Sequence, residues 1–379
     1  QEAKRLGIRM GQPVFECREV IQAHDVIVRS SNYALYEDMS RRVVSSILHF
    51  IPDVEIYSID EVFCDVAPMA DRDPDQLCRK IRSAVLQWTG IPVSIGIGTT
   101  KTLAKIANRV AKQDASTESV YQFPCEVVES KRVLSETRVE DVWGIGHRWG
   151  RRLRQLGIHT ALDLSHMQPS MVRSHFNVTA MQTAMELSGV RCHTLDVTPV
   201  NRHTLVRSRS FGREVVRWHD MAQAIASHAT RAAEKLRLEG GVAGRLSVFI
   251  QTNRFRQDQR QHCVSGSCEL LPPTNITPVL LKHAGDIGRQ LWKPGHAYKK
   301  AGVMLSDISF GGVQGSLFHG RDEANDARLM EVMDRINGTM GSGTMRPAAT
   351  GLHRRGWGMR QEHRSPRYTT QWRELPRVR

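Results

Sequence analysis

The sequence predicts an α+β chain of several domains, and three stretches carry that prediction. Strands and helices alternate between residues 54 and 112, a helical unit spans 137–195, and residues 204–310 read in the order β-α-β-β-α-β. A length of 379 residues leaves room for two or three hydrophobic cores.

Taken in order, Gln1 to Ile8 read as the end of a helix capped by Gly7, so the chain reads as entered in mid-domain. Tyr33, Leu35, Tyr36, Met39, Val43, Val44, Ile47 and Leu48 recur at near-helical spacing over residues 33–50, and Pro52 ends that helix. Val54, Ile56, Ile59, Val62, Phe63 and Val66 have the composition of a strand or hairpin. Residues 74–89 read as a second amphipathic helix, with Leu77, Ile81, Ala84, Val85 and Trp88 inward. Residues 92–98 form a short buried strand, and Thr99 or Thr100 caps a helix through Lys112. Residues 204–215, 243–254, 262–270 and 300–310 read as strands, with helices over 218–239 and 276–292. That order suggests a ferredoxin-like domain with its helices on one face. Past Gly311 the glycines thicken, including Gly338, Gly341 and Gly343, and the tail reads as linker.

Lys plus Arg number 53 and Asp plus Glu 39, a formal charge of +14. That balance favours a polyanionic partner, with nucleic acid ahead of an anionic membrane because no basic amphipathic helix with an aromatic face stands out. No apolar run is long enough to span a bilayer. The seven cysteines are scattered, odd in number and without Cys-x-x-Cys spacing, which suits free thiols in a reducing cytoplasm.

The candidate chemistry starts at Asp60 and Glu61, two adjacent carboxylates inside an apolar, strand-like run. Buried without partners they would be costly, so they lie at an exposed strand end or bind cations. Hard oxygen ligands suit Mg²⁺, and a pair of such ions can catalyse phosphoryl transfer. Lys101, Lys105, Arg109 and Lys112 form a basic stripe on the following helix that can hold phosphates. Gly144-Ile145-Gly146, followed by Arg148, Arg151, Arg152 and Arg154, reads as a helix-hairpin-helix turn. Without side chains, the backbone N–H groups of Gly144 and Gly146 can approach a DNA phosphate. Arg207, Arg209 and Arg245 fall on the strands of the third domain, where arginine can grip phosphates along a nucleic acid. Gln314, Leu317 and Phe318 resemble a short docking peptide for an apolar groove on a partner.

These motifs together resemble the Y-family DNA polymerases of the bacterial UmuC type, the catalytic subunit of DNA polymerase V. The resemblance covers nearly the whole chain. It is carried by Ser30-Ser31-Asn32-Tyr33 through Met39, Tyr57-Ser58-Ile59-Asp60-Glu61, Ser94-Ile95-Gly96-Ile97-Gly98 into Lys101-Thr102-Leu103-Ala104-Lys105, Trp143-Gly144-Ile145-Gly146, Lys300 to Leu305 and Ser365 to Thr370. It implies a right hand: partial fingers over 1–28, palm over 29–136, thumb over 137–198, a DNA-gripping little finger over 199–312 and a tail over 313–379. Asp60 and Glu61 would be metal ligands for two Mg²⁺ ions, with Lys4 and Lys112 on the incoming triphosphate. Gln314 to Phe318 would dock on the sliding clamp. A dimer of processed UmuD and RecA filaments would be partners in SOS mutagenesis. The family begins with a strand that supplies a further metal-binding Asp and an aromatic gate against ribonucleotides, and neither is in this sequence. The chain as given is therefore expected to be a fragment with little or no polymerase activity. Two other classes remain open: a non-catalytic DNA- and clamp-binding scaffold, and a nucleotide cyclase with a palm-like domain.

Overall fold

The computed structural model describes residues 2–69, 73–196, 203–311, 323–351, 356–359 and 361–375. They divide into two compact units, residues 1–199 with 363–379, and residues 200–362.

The first unit opens with two short helices, α1 (Glu2–Arg5) and α2 (Arg18–Ala23). Helix α3 (Tyr33–Leu48) starts where the Asn32 side chain accepts from the Leu35 N–H. The hairpin β1 (Val54–Ile56) and β2 (Val62–Cys64) pairs Val54 with Cys64 and Ile56 with Val62. Helix α4 (Pro74–Thr89) has an Asp73 cap, Pro74 in its first turn and Gly90 in the left-handed conformation at its end. Ile47, Ile51, Leu77, Ile81 and Val85 form the core between α3, α4 and the hairpin.

Strand β3 (Ile95–Ile97) runs parallel to β4 (Val120–Gln122), joined by helix α5 (Lys101–Gln113). Parallel strands require such a crossover. The two glycines around Ile97 let α5 lie on the strand. A Cβ at Gly96 would meet the Asn108 nitrogen at 2.1 Å, and one at Gly98 the Ala104 nitrogen at 2.5 Å.

Helices α6 (Val127–Glu136), α7 (His147–Gln155), α8 (Ala161–Ser165), α9 (Pro169–His175) and α10 (Val178–Leu187) surround a second core. It includes Leu103 and Ile106 of α5 together with Leu134, Leu153, Leu164 and Leu187. Helix α8 is fixed by a reciprocal cap between Thr160 and Asp163. The backbone N–H groups of His159 and Thr160 hold the Asp163 carboxyl below its ordinary pKa.

The second unit runs β5 (Thr204–Val215), α11 (Trp218–Leu238), β6 (Gly241–Thr252), β7 (Cys263–Thr274), α12 (Thr277–Leu291) and β8 (Tyr298–Phe310). The sheet order is β5-β8-β6-β7, antiparallel throughout. The second and fourth strands are thus central, an order that the element sequence leaves open. Alternation sends Leu246, Val248 and Ile250 of β6, with Val303 and Leu305 of β8, against Met221, Ile225 and Leu236 of α11. Lys300, Phe249 and Gly302 share the opposite side of the sheet. A Cβ at Gly302 would meet the Phe249 ring at 2.3 Å, so the glycine makes room for that ring.

The tail departs from the linker read in the sequence. Helix α13 (Glu323–Met340) is regular, and its Met330 is buried. Its inward stripe is narrow, with Asp326, Asp334 and Asn337 beside Met330 and Met333, so the apolar period is weak. Arg237 makes a two-pronged bridge to Asp334, at 2.7 and 2.8 Å. Trp357 enters the core of the second unit beside Phe211, with ring centroids 5.8 Å apart.

Residues 363–375 then belong to the first unit. The Ser30 N–H donates to the His363 carbonyl at 3.1 Å. The Asn32 amide donates to the carbonyls of Ser365, at 2.9 Å, and Pro366, at 3.2 Å. Asn32 is 1% exposed, so these acceptors replace water. Replacing Asn32 by Ala is expected to cost about 2 kcal/mol, from the lost cap and the tail carbonyls. Hydrogen exchange should show the Leu35 amide and the segment 363–370 losing protection together. Unchanged protection over 363–370 would show that other contacts hold the tail.

Candidate active site

Asp60 and Glu61 sit in the turn between β1 and β2. The Ser58 hydroxyl donates to Asp60 Oδ1 at 2.6 Å, and the N–H groups of Tyr57 and Ser58 donate to the Glu61 carbonyl. These bonds close the turn and bring both carboxylates to the wall of a cavity of about 690 Å³. The cavity lies between the strands β2 and β3, and Met39, Val43, Ile47 and Val93 line its apolar part. Lys105, Asn108 and Lys112 of α5 contribute polar groups to the same cavity.

Helix α5 is amphipathic because its inner face packs on the second core. Its basic stripe differs from the phosphate-holding row read in the sequence. Lys101 pairs with Glu55, Lys105 with Glu61 at 2.6 Å, and Arg109 with Asp141 at 2.6 Å. Folding brings Glu55 of β1, Glu61 of the turn after it and Asp141 to three of the four positions, which spacing along one helix could not reveal. Lys112 is exposed at the cavity rim, with no ion-pair partner among the described residues.

Tyr57, Phe63 and Trp143 form an aromatic cluster with centroids 5.6 Å apart in each pair. The Trp143 indole N–H donates to the Tyr57 hydroxyl at 3.1 Å. The cluster thereby joins the acidic turn to the segment that leads into α7. Lys105 lies over the Tyr57 ring at 5.5 Å and Lys101 over Phe63 at 5.0 Å. Sequence reading missed this cluster, since Tyr57 and Trp143 are 86 residues apart.

Gly144 has φ +84, and Gly146 precedes α7 with open space where a Cβ would be. Arg148 and Arg151 are exposed on α7. Lys4 is exposed on α1 and is not among the residues lining the cavity. In the second unit, Arg207 and Arg209 pair with Val303 and Ala301, on the side of the sheet that the helices cover. Arg245 is on the other side and bridges Asp307 at 3.1 Å and Glu269 at 3.0 Å. Gln314, Leu317 and Phe318 lie outside the described residues.

The donor set fits a hard cation in part. Two adjacent carboxylates on an open wall suit Mg²⁺, which keeps several waters and binds through one or two carboxylates plus substrate phosphates. Among the described residues no cluster of three or more His, Cys, Asp or Glu could hold a metal ion. Cys64 and Cys78 also line the cavity, but burial pushes their thiols up to about 12 and about 11. Neither offers a thiolate ligand at neutral pH.

Comparison with known proteins shows the family and the fold. Residues 1–109 match the impB/mucB/samB family and residues 202–317 its C-terminal domain, while residues 327–378 match a domain of unknown function, DUF4113. The chain is 42% identical to Protein UmuC of Salmonella typhimurium over 381 residues, covering 100% of this chain and 90% of that protein. It is 36% identical to Protein MucB of Escherichia coli over 376 residues, covering 99% and 89%. Among solved structures, the fold is similar to a Y-family DNA polymerase chimera of Dbh and Dpo4. The TM-score is 0.63 and the identity 20%, over 82% of this chain and 86% of that one.

Proposed function

The chain belongs to the impB/mucB/samB family and is a Y-family DNA polymerase of the UmuC type, and from that premise we propose that it performs error-prone translesion synthesis by adding dNTPs to a primer. The observation that carries the site assignment is the meeting of Asp60, Glu61 and Lys112 on one cavity.

In this reading Asp60 and Glu61 are the residues that would hold Mg²⁺. The chemistry such an ion, or a pair of them, would supply is Lewis-acid activation of the primer 3′-hydroxyl and charge to offset the pyrophosphate leaving group. The hydroxyl attacks the α-phosphate in line. Lys112, free of internal pairing among the described residues, binds phosphate oxygens, and Lys4 contributes from the fingers side. The apolar wall beside β2 excludes water from the reacting groups. Alignment and electrostatics supply most of the rate.

Gly144 and Gly146, with Arg148 and Arg151, hold the DNA backbone without reading sequence. Arg207, Arg209 and Arg245 add positive charge along the little finger, where Arg245 would have to share its guanidinium between phosphate and its two carboxylates. The palm, thumb and little-finger boundaries and the tail assignment rest on the family pattern. So do docking of Gln314 to Phe318 on the sliding clamp and partnership with a processed UmuD dimer and RecA. Seven free cysteines suit the reducing cytoplasm. Among the described residues, no helix is long and apolar enough to cross a membrane.

Primer extension opposite an abasic site, with Mg²⁺, dNTPs and the chain joined to the family's N-terminal segment, tests the reading. Extension past the lesion is the expected result. DNA binding with no incorporation on damaged or undamaged template would instead support a scaffold.

A further inference from the structure

We propose that Lys105 is a resident counter-cation for Glu61, occupying the carboxylate until a nucleotide brings a divalent ion. The inference rests on the metal role assigned above to Asp60 and Glu61. Lys105 Nζ is 2.6 Å from Glu61 Oε1, and the two side chains are 21% and 32% exposed. Partial burial makes this pair stronger than one in open water. A divalent cation on Glu61 would set two positive charges beside the ammonium. The two cations therefore compete for one carboxylate.

The displaced ammonium has another place to rest. It already lies 5.5 Å from the Tyr57 ring centroid and 6.0 Å from that of Phe63. Aromatic faces attract a cation without neutralising it. Lys105 also lines the cavity with Lys112, seven residues further along the same helix face. An ammonium released from Glu61 is thus available to phosphate oxygens that arrive with the metal. Metal alone is disfavoured, and metal with triphosphate is favoured because both freed charges find partners.

The neighbouring pair behaves differently. Lys101 and Glu55 are more buried, at 12% and 15%, and neither lines the cavity. Glu55 also accepts from the Asp196 N–H at 2.7 Å. That pair is closed to ligand, whereas the Lys105–Glu61 pair faces the cavity. Lys105 acts on metal through Glu61 and is in that respect a positioning residue.

The test is Mn²⁺ binding to the full chain, read by electron paramagnetic resonance with and without a non-hydrolysable dNTP analogue. Wild type is expected to bind Mn²⁺ weakly alone and more tightly with the analogue. Lys105→Met should bind Mn²⁺ alone about tenfold more tightly, through removal of the competing charge. Its gain on adding the analogue should shrink. Lys105→Arg should restore wild-type behaviour. Lys105→Gln serves as the second neutral variant if the methionine lowers the melting midpoint. Mn²⁺ affinity that is unchanged or weaker in a neutral variant melting like wild type overturns the inference alone. Wild-type Mn²⁺ binding retained in Asp60→Asn with Glu61→Gln, or no Mn²⁺ binding by wild type, overturns the metal-site reading and this inference with it.

Discussion

In the chain joined to the family's N-terminal segment, replacing Asp60 by Asn and Glu61 by Gln together is expected to lower nucleotide incorporation about 10³-fold or more. The amides keep the shape of the side chains and remove both negative charges. The stabilisation of transferred charge by a bound metal is worth several kcal/mol, and each 1.36 kcal/mol is about tenfold in rate. The turn itself should survive. The backbone bonds to the Glu61 carbonyl do not involve either carboxylate, and Ser58 can donate to the Asn carbonyl in place of Asp60 Oδ1. Duplex affinity should stay within about twofold, because the pair faces the cavity and the groups assigned to DNA lie on α7 and the second unit. Single-turnover incorporation with fluorescence anisotropy on labelled duplex separates the two. An equal loss of DNA binding and incorporation would mean that the pair organises the DNA site and does not serve the chemistry alone.

Glu186→Ala is expected to be the most destabilising single change in the first unit, by about 4 kcal/mol. Glu186 is fully buried at the end of α10. Its carboxylate accepts from the Thr102 N–H at 2.9 Å, the Thr102 hydroxyl at 2.8 Å, and the N–H groups of Cys192 at 3.2 Å and His193 at 2.9 Å. No ion pair reaches it among the described residues. The negative charge is held by these donors and by the N-terminus of α5. Alanine leaves buried N–H groups without acceptors on both sides of the contact. Glu186→Gln keeps one acceptor oxygen and turns an NH₂ toward donors, so about 2 kcal/mol is expected. Urea unfolding of the full chain, followed by hydrogen exchange at the Thr102, Cys192 and His193 amides, reads this directly. A loss under about 1 kcal/mol for alanine would show that water replaces the carboxylate. Since α5 carries Lys105 and Lys112, a large loss should also weaken Mn²⁺ and triphosphate binding.

The Glu186 contact shows why part of the site was hidden in the sequence. The carboxylate's partner on α5 is 84 residues away, and those in the following turn are six and seven away. Glutamate near a helix end reads as a surface residue until another helix is brought against it. Asn32 caps α3 locally, but its bonds to Ser365 and Pro366 cross more than 330 residues. The helices α3, α4 and α11 were legible because their apolar period and stop signals are local. Helix α13 was not, since its buried stripe is thin and its support comes from Arg237 and the core of the second unit.

By itself, the sequence determined the local elements, the acidic turn at Asp60 and Glu61, the glycines before α5 and the resemblance that names the family. Each depends on neighbours within a few residues or on a motif read as a string. Only the tertiary structure decided which charges meet. It turned three positions of a basic stripe into internal ion pairs, left Lys112 on the cavity and set Lys105 on Glu61. Electrostatic energy depends on distance through space, and residues 44 apart in the chain are 2.6 Å apart in the fold.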